Sequence, residues 1–251
     1  MAERSKFDTV AANYAAGRPD YPAELYDMLE TVVGGPLAGL AVVDLGAGTG
    51  IASRQLARRG ALVTALELSG PMIEHLAASS PGVRAVRGSA TALPLRDDCA
   101  DLVTSAQAWH WMDPALAVPE LRRVLRPGGV FAAWWNHTHR ESEWEQQQQE
   151  RIEAAAGPDW RAASSPFAQR GGELGPDFDL PVSVHEFTWQ RTIALERHLH
   201  NLVSKSYVAE LANREEFLAT ERAILGERFP GGFVTERFGT HMVTVVVPGD
   251  A

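Results

Sequence analysis

Val42-Val43-Asp44-Leu45-Gly46-Ala47-Gly48-Thr49-Gly50 decides how the rest of this 251-residue chain is read. An apolar run takes on one acid and then breaks into glycine at alternate positions. Apolar residues that end in glycines, with a helix-like segment behind them, spell a buried strand turning tightly into a helix. Glycine at 46, 48 and 50 permits positive φ and lets a ligand lie directly against the main chain.

Two ligand classes use such a turn, and charge separates them. A dinucleotide fold uses Gly-x-Gly-x-x-Gly, with a pyrophosphate resting on the helix N-terminus. The third glycine would fall at 51, where Ile51 stands, and Asp44 places an anion where a pyrophosphate would be repelled. The charge suits a cation better. S-adenosylmethionine carries a sulfonium and an ammonium, and its ribose hydroxyls call for an acidic acceptor. Glu67 closes the next apolar run, Ala61 to Leu66, 17 residues past Gly50. That is close to the roughly 20-residue spacing at which a ribose-binding acid follows such a turn.

Working outward, the length suits one α/β domain with an insertion. Hydrophobic content of 45% and charged content of 22% are those of a soluble globular protein. A formal net charge of −9 argues against nucleic acid as the main partner, since phosphate binding needs basic clusters. Cys99 is the only cysteine, so an internal disulfide is excluded and a reducing cytoplasm fits. Met1 to Asp8 carries four charged residues, which leads us to expect no signal peptide. There is no apolar run of about 18 residues or more, so no membrane span is expected.

Apolar residues at helical spacing predict a helix over 22–33, after an aromatic entry marked by Phe7, Tyr14, Arg18-Pro19 and Tyr21-Pro22. From 41 to 136 strands and helices alternate, with strands at 41–45, 61–67, 83–88, 99–105 and 130–135. Asp113-Pro114 has the form of a helix cap with proline in the first turn, and Pro119 would kink or restart that helix. Strands separated by about a dozen helical residues mean crossover connections, hence a doubly wound parallel α/β sheet. Beyond 136, a polar helix is expected over 141–156, with Gln146–Gln149 as a solvated face. A Gly/Pro/Ser-rich cap follows over 157–181, then a strand at 182–189, helices at 195–207 and 213–228, and a last strand at 241–247.

In a doubly wound sheet the ligand lies outside the carboxyl ends of the strands. Ser89 and Ala90 follow the third strand, placed to reach an adenine edge. Gln107, Trp109, His110 and Trp111 follow the fourth; Trp134, Trp135, Asn136, His137 and His139 surround the end of the fifth. Four of the seven tryptophans thus gather at two adjacent strand ends, an apolar wall able to offer π-faces to a sulfonium, each contact worth about 0.5–2 kcal/mol. Trp134 and Trp135 alternate along their strand, so one of them is expected to pack under a helix. His110 has a side chain suited to proton removal near neutrality, or is a structural histidine held between tryptophans. His137 and His139 lack acidic or cysteine companions, so no metal site is expected. Arg18, Arg140 and Arg191 are either clamps for an anionic substrate or solvated surface.

As a set these residues resemble a known family. Asp44-Leu45-Gly46-Ala47-Gly48-Thr49-Gly50, Glu67 and the late Arg123-Val124-Leu125-Arg126-Pro127-Gly128-Gly129 look like the motifs of class I S-adenosylmethionine-dependent methyltransferases. Ala108-Trp109-His110-Trp111 and the entry Tyr14…Arg18-Pro19…Tyr21-Pro22 are similar to the small-molecule, trans-aconitate-methyltransferase-like (type 11) group. The likeness implies a seven-stranded, mostly parallel sheet of order 3-2-1-4-5-7-6 with the last strand antiparallel, helices on both faces and a cap inserted after the fifth strand. It implies an N-terminal helical lid (1–36), a cofactor-binding core (37–136), a substrate-selecting cap that includes the sixth strand (137–210) and a C-terminal helix and strand completing the sheet (211–251). S-adenosylmethionine would be held by Asp44, Gly46, Ala47, Gly48, Gly50, Glu67, Leu68, Ser89, Ala90 and Gln107, with Tyr14 and Arg18. Trp109, Trp111, Trp135, Asn136 and Tyr21 would face the substrate, and His110 would act on it. The family usually carries an acid where Ser89 stands; a serine oxygen still accepts one hydrogen bond.

The expected reaction moves a methyl group to an oxygen (carboxylate or hydroxyl) or nitrogen of a small molecule, in a cytoplasmic monomer or homodimer. The rivals are an NAD-dependent oxidoreductase and a methyltransferase-fold protein that binds the cofactor without transferring methyl.

Overall fold

The structure is a computed structural model that describes residues 18–138, 141–157, 178–204 and 206–249. Phe7, Tyr14, His139, Arg140 and most of the expected 157–181 loop lie outside the described residues.

A seven-stranded sheet runs in the order β3-β2-β1-β4-β5-β7-β6. Its strands are β1 (Ala41–Leu45), β2 (Leu62–Glu67), β3 (Arg84–Arg87), β4 (Ala100–Ala106), β5 (Leu125–Thr138), β6 (Val182–Ala194) and β7 (Phe233–Val246). The first five are parallel; β7 runs antiparallel between β5 and β6. β1 lies mid-sheet with four of its five residues buried, Asp44 among them, as its otherwise apolar composition favours. The crossovers are α1 (Ala23–Val32) ahead of β1, α2 (Ile51–Arg58), α3 (Gly70–Ser79) and α4 (Pro114–Val124). Asp113 caps α4 by accepting from the Ala115 N–H at 3.0 Å, and the helix continues through Pro119.

The alternation of side chains along β5 divides the core in two. Val130, Ala132 and Trp134 meet Leu25, Leu29, Ala52 and Leu56 of α1 and α2 on one face. Phe131, Ala133 and Trp135 meet Ala117, Leu121 and Val124 of α4 on the other. Trp134 is fully buried and edge-on to Tyr21 and Tyr26. The two tryptophans are therefore interior to β5, opposite Met242 and His241 of β7, rather than past its end. Both β5 and β7 are longer than expected. The Arg126-Pro127-Gly128-Gly129 motif is a bulge within β5, because the register with β4 slips there.

Beyond the sheet, α5 (Glu143–Ala156), α6 (Leu195–Val203), α7 (Ser206–Ala209) and α8 (Arg214–Arg228) share a separate apolar cluster of Ile152, Leu199, Leu202, Val208 and Phe217. Phe217 packs α8 into this cluster, while β6 and β7 belong to the sheet. The glutamine run is corrected as well: Gln146 and Gln147 are exposed, but Gln148 and Gln149 are buried. Among the described residues no helix is long and apolar enough to cross a membrane.

Candidate active site

The turn after β1 takes positive φ at all three glycines, 63° at Gly46, 56° at Gly48 and 83° at Gly50. A Cβ on Gly46 would lie 2.5 Å from the Ala108 Cβ, so the turn closes only without a side chain there. Gly50 is the N-cap of α2, and a Cβ there would press on Leu76 at 2.9 Å. The Ala47 N–H donates to the Leu66 carbonyl at 3.0 Å, tying the turn to β2.

Glu67 ends β2 beside this turn. One carboxylate oxygen accepts from the Gly48 N–H at 2.9 Å and the other from the Ser69 N–H at 2.7 Å. Two backbone donors fix the carboxylate, and each oxygen keeps further acceptor capacity. Asp44 behaves differently. It is fully buried, accepting from the Ser53 hydroxyl at 2.5 Å and the Thr104 hydroxyl at 2.8 Å. Burial, opposed by those hydroxyls, raises its carboxyl to about 6. Asp44, expected at the cofactor, is not part of the cavity wall described below; its side chain braces α2 and β4 beneath the turn.

At the carboxyl ends of β1, β2, β3 and β4 lies a cavity of about 420 Å³. Its wall brings together Gly46, Gly48, Glu67, Leu68, Ser89, Ala90, Gln107 and Trp111 of the expected set. Met72, Thr91, Met112 and Asp113 also line it and were not singled out. Met72 had a readable signal, standing in the first turn of the helix that follows β2. The Ser89 hydroxyl is paired with that of Thr91 at 2.8 Å, so the cavity presents two hydroxyls where the family's acid would be. Gln107 holds φ 57° and donates its amide to the Asn136 carbonyl at 3.2 Å.

The remaining expected residues lie off that wall. Ala47 and Gly50 shape the turn. Trp109 is a core residue, 2% exposed and packed on Phe131 and Phe178, so it is no substrate wall. Trp111, two residues on, is 52% exposed and lines the cavity instead. Trp135 is buried, and its indole N–H donates to Nδ1 of His110 at 2.9 Å. Asn136 donates its amide to the Asp20 carbonyl at 3.2 Å and accepts from the Thr240 hydroxyl at 2.6 Å. Tyr21 packs on Trp134. Arg18 lies away from the cofactor cavity, its guanidinium donating to the Ser204 carbonyl at 3.1 Å.

His110 sits in a single turn of 3-10 helix, Trp109–Trp111. With Nδ1 accepting from Trp135, the neutral ring carries its proton on Nε2. Burial, reinforced by the Arg18 charge, pulls His110 down to about 4. The expected general base is thus a neutral hydrogen-bond donor near pH 7. No group of three or more metal-ligating side chains occurs among the described residues.

The family model described as a methyltransferase domain matches residues 43–133. An uncharacterized methyltransferase of Mycobacterium tuberculosis is 35% identical over 201 residues, 80% of this chain and 76% of the relative. This chain belongs to the class I S-adenosylmethionine-dependent methyltransferases. A solved structure from Anaeromyxobacter dehalogenans, assigned as a type II methyltransferase, shares the fold at a TM-score of 0.71 with 23% identity, covering 93% of this chain and 99% of that one. A phosphoethanolamine N-methyltransferase of Haemonchus contortus, solved with S-adenosylhomocysteine, matches at a TM-score of 0.52 with 15% identity, over 98% of this chain and 58% of that one. The match to the methyltransferase model spans β1 to the middle of β5, the part that builds the cavity.

Proposed function

We propose that this methyltransferase esterifies a carboxylate of a small organic acid. The donor, S-adenosylmethionine, supplies an electrophilic methyl group when bound. The cavity suits it: Glu67 for the paired ribose hydroxyls, Gly46 and Gly48 for close main-chain approach, Leu68, Met72 and Ala90 as apolar surface for the base, and Ser89–Thr91 as its polar edge. The chain's own work is then alignment and exclusion of water, which account for about 7–11 kcal/mol of barrier reduction in well-oriented reactions.

The observation that carries the choice of acceptor is the His110–Trp135 hydrogen bond. A hydroxyl or ammonium acceptor must lose a proton, and His110 offers no basic nitrogen for it: Nδ1 is engaged, Nε2 is protonated, and the ring titrates at about 4. A carboxylate is already ionised near neutrality, and an imidazole N–H beside an arginine is suited to receiving it. The net charge of −9 fits a small-molecule acceptor rather than nucleic acid, and the single Cys99 fits a reducing cytoplasm.

The test is a panel of small carboxylates, phenols and amines incubated with methyl-labelled donor and read by product mass. Methyl esters are expected, with kcat/KM flat between about pH 6 and 8 because neither acceptor nor His110 titrates there. Products formed only from phenols or amines, rising across that range, would overturn the carboxylate assignment. Tight S-adenosylhomocysteine binding with no labelled product from the panel or a cell extract would favour a cofactor-binding protein without transfer.

A further inference from the structure

We infer that Glu236, outside the cofactor cavity at the junction of cap and sheet, is a positioning residue that sets Arg18 in place for the acceptor's carboxylate; its link to the acceptor rests on the function proposed above. Glu236 stands on β7 directly opposite Arg191 on β6 and is 4% exposed. It accepts from Arg191 Nε at 2.6 Å, His198 Nδ1 at 2.7 Å and the Asn201 amide at 2.9 Å. Burial alone would raise its carboxyl, but the His198 hydrogen bond and the Arg191 charge outweigh it and hold the group ionised.

Two of these partners, Arg191 and Asn201, lead to Arg18. Arg191 donates through a terminal nitrogen to the Arg18 carbonyl at 3.4 Å. The Asn201 carbonyl accepts the Ser204 hydroxyl at 2.6 Å, and the Ser204 carbonyl accepts the Arg18 guanidinium at 3.1 Å. Both ends of Arg18, main chain and side chain, thus rest on groups that Glu236 orders. Buried ion pairs contribute little net stability against apolar replacements of equal shape. What this one supplies is orientation. The Arg18 charge acts on His110 across the site, so a displaced guanidinium leaves a trace on that ring.

Glu236→Gln keeps the shape and removes the charge. In the full-length protein, S-adenosylhomocysteine affinity measured by calorimetry should stay within about twofold, since no cavity residue is touched. The His110 titration midpoint, followed by ring NMR, should move upward from about 4. With a carboxylate substrate, KM should rise about tenfold, the loss of roughly one charge-assisted contact, while kcat holds within about twofold. Arg18→Gln should reproduce the NMR shift and the KM rise, and adding Glu236→Gln to it should change neither further. Should Glu236→Gln fail to fold, Arg191→Lys tests the same connection. A lower melting temperature with His110 and KM at their wild-type values would reduce Glu236 to a structural ion pair and overturn the inference. If no carboxylate proves a substrate but the His110 midpoint moves in both variants, the proposed function falls and the positioning of Arg18 stands.

Discussion

The two ends of the site are held by different means. At the cofactor end, Glu67 fixes the glycine turn through the Gly48 N–H, a partner only 19 residues away, and the wall follows from what comes directly after each parallel strand. At the end proposed for the acceptor, Arg18 is held by Ser204, 186 residues on, and by Arg191, 173 residues on, while Asn136 reaches back 116 residues to Asp20. One end is a local device of main chain and one acid; the other is assembled from side chains that meet only when the cap and the last two strands have formed. A local device tolerates change elsewhere in the chain. The assembled end gives up its geometry when any one of several distant elements shifts.

That contrast breaks first, and hardest, at Gly46. Gly46→Ala combines a residue at φ 63° with a Cβ 2.5 Å from Ala108. Strain and overpacking together should cost about 2–5 kcal/mol, and S-adenosylhomocysteine binding should fall more than about tenfold in calorimetry. Unchanged affinity would mean that the turn is not the rigid half of the site. A smaller effect belongs to Asp44. Its folded-state carboxyl titrates at about 6 against 3.8 as the ordinary value, so above both the folded chain carries a buried charge that the unfolded chain bears more easily. The penalty is relieved as pH falls through about 6, and wild type should gain about 1–1.5 kcal/mol relative to Asp44→Asn between about pH 7.5 and 5. Urea unfolding at the two pH values checks it. A constant difference would show that the carboxyl does not titrate in this window.

The same division explains what could be read from the sequence. The apolar run of β1, the glycines behind it and Glu67 at the end of β2 lie close together in the chain, so periodicity and spacing delivered the parallel crossovers and one wall of the cavity, while the strand order came only with the family resemblance. Asp44 was visible as an acid but not as a buried one, because its partners Ser53 and Thr104 come from another helix and another strand. Trp109 and Trp111 are two residues apart in the same motif, yet one is core and the other rim. A single helical turn decides that, and no pattern in six residues records it. The sequence leaves His110 open between a base and a structural histidine, because nothing local says that the indole of Trp135, 25 residues on, occupies its Nδ1. The length of β5 exceeds the sequence expectation because Pro127, Gly128 and Gly129 look like a strand's boundary when they are its bulge.

The glutamines of α5 give the finest test of an end assembled from side chains, within one uniform run. Gln147 is exposed and donates to Glu143 one turn earlier at 3.0 Å. Gln148, its neighbour, is buried between His198 and Glu221, donating to the fully buried Glu221 at 2.9 Å, where Arg151 is the second partner. Deleting a neutral donor to a buried carboxylate should cost about 1–3 kcal/mol, because the acceptor is left short of a partner away from water. Gln147→Ala should stay within about 0.5 kcal/mol, as surface changes do. Paired denaturant midpoints of Gln148→Ala and Gln147→Ala read the difference directly, and neither should alter S-adenosylhomocysteine affinity, since both lie outside the cofactor cavity. Equal midpoints would return the run to a solvated face and leave the cap's polar interior without a part in its stability.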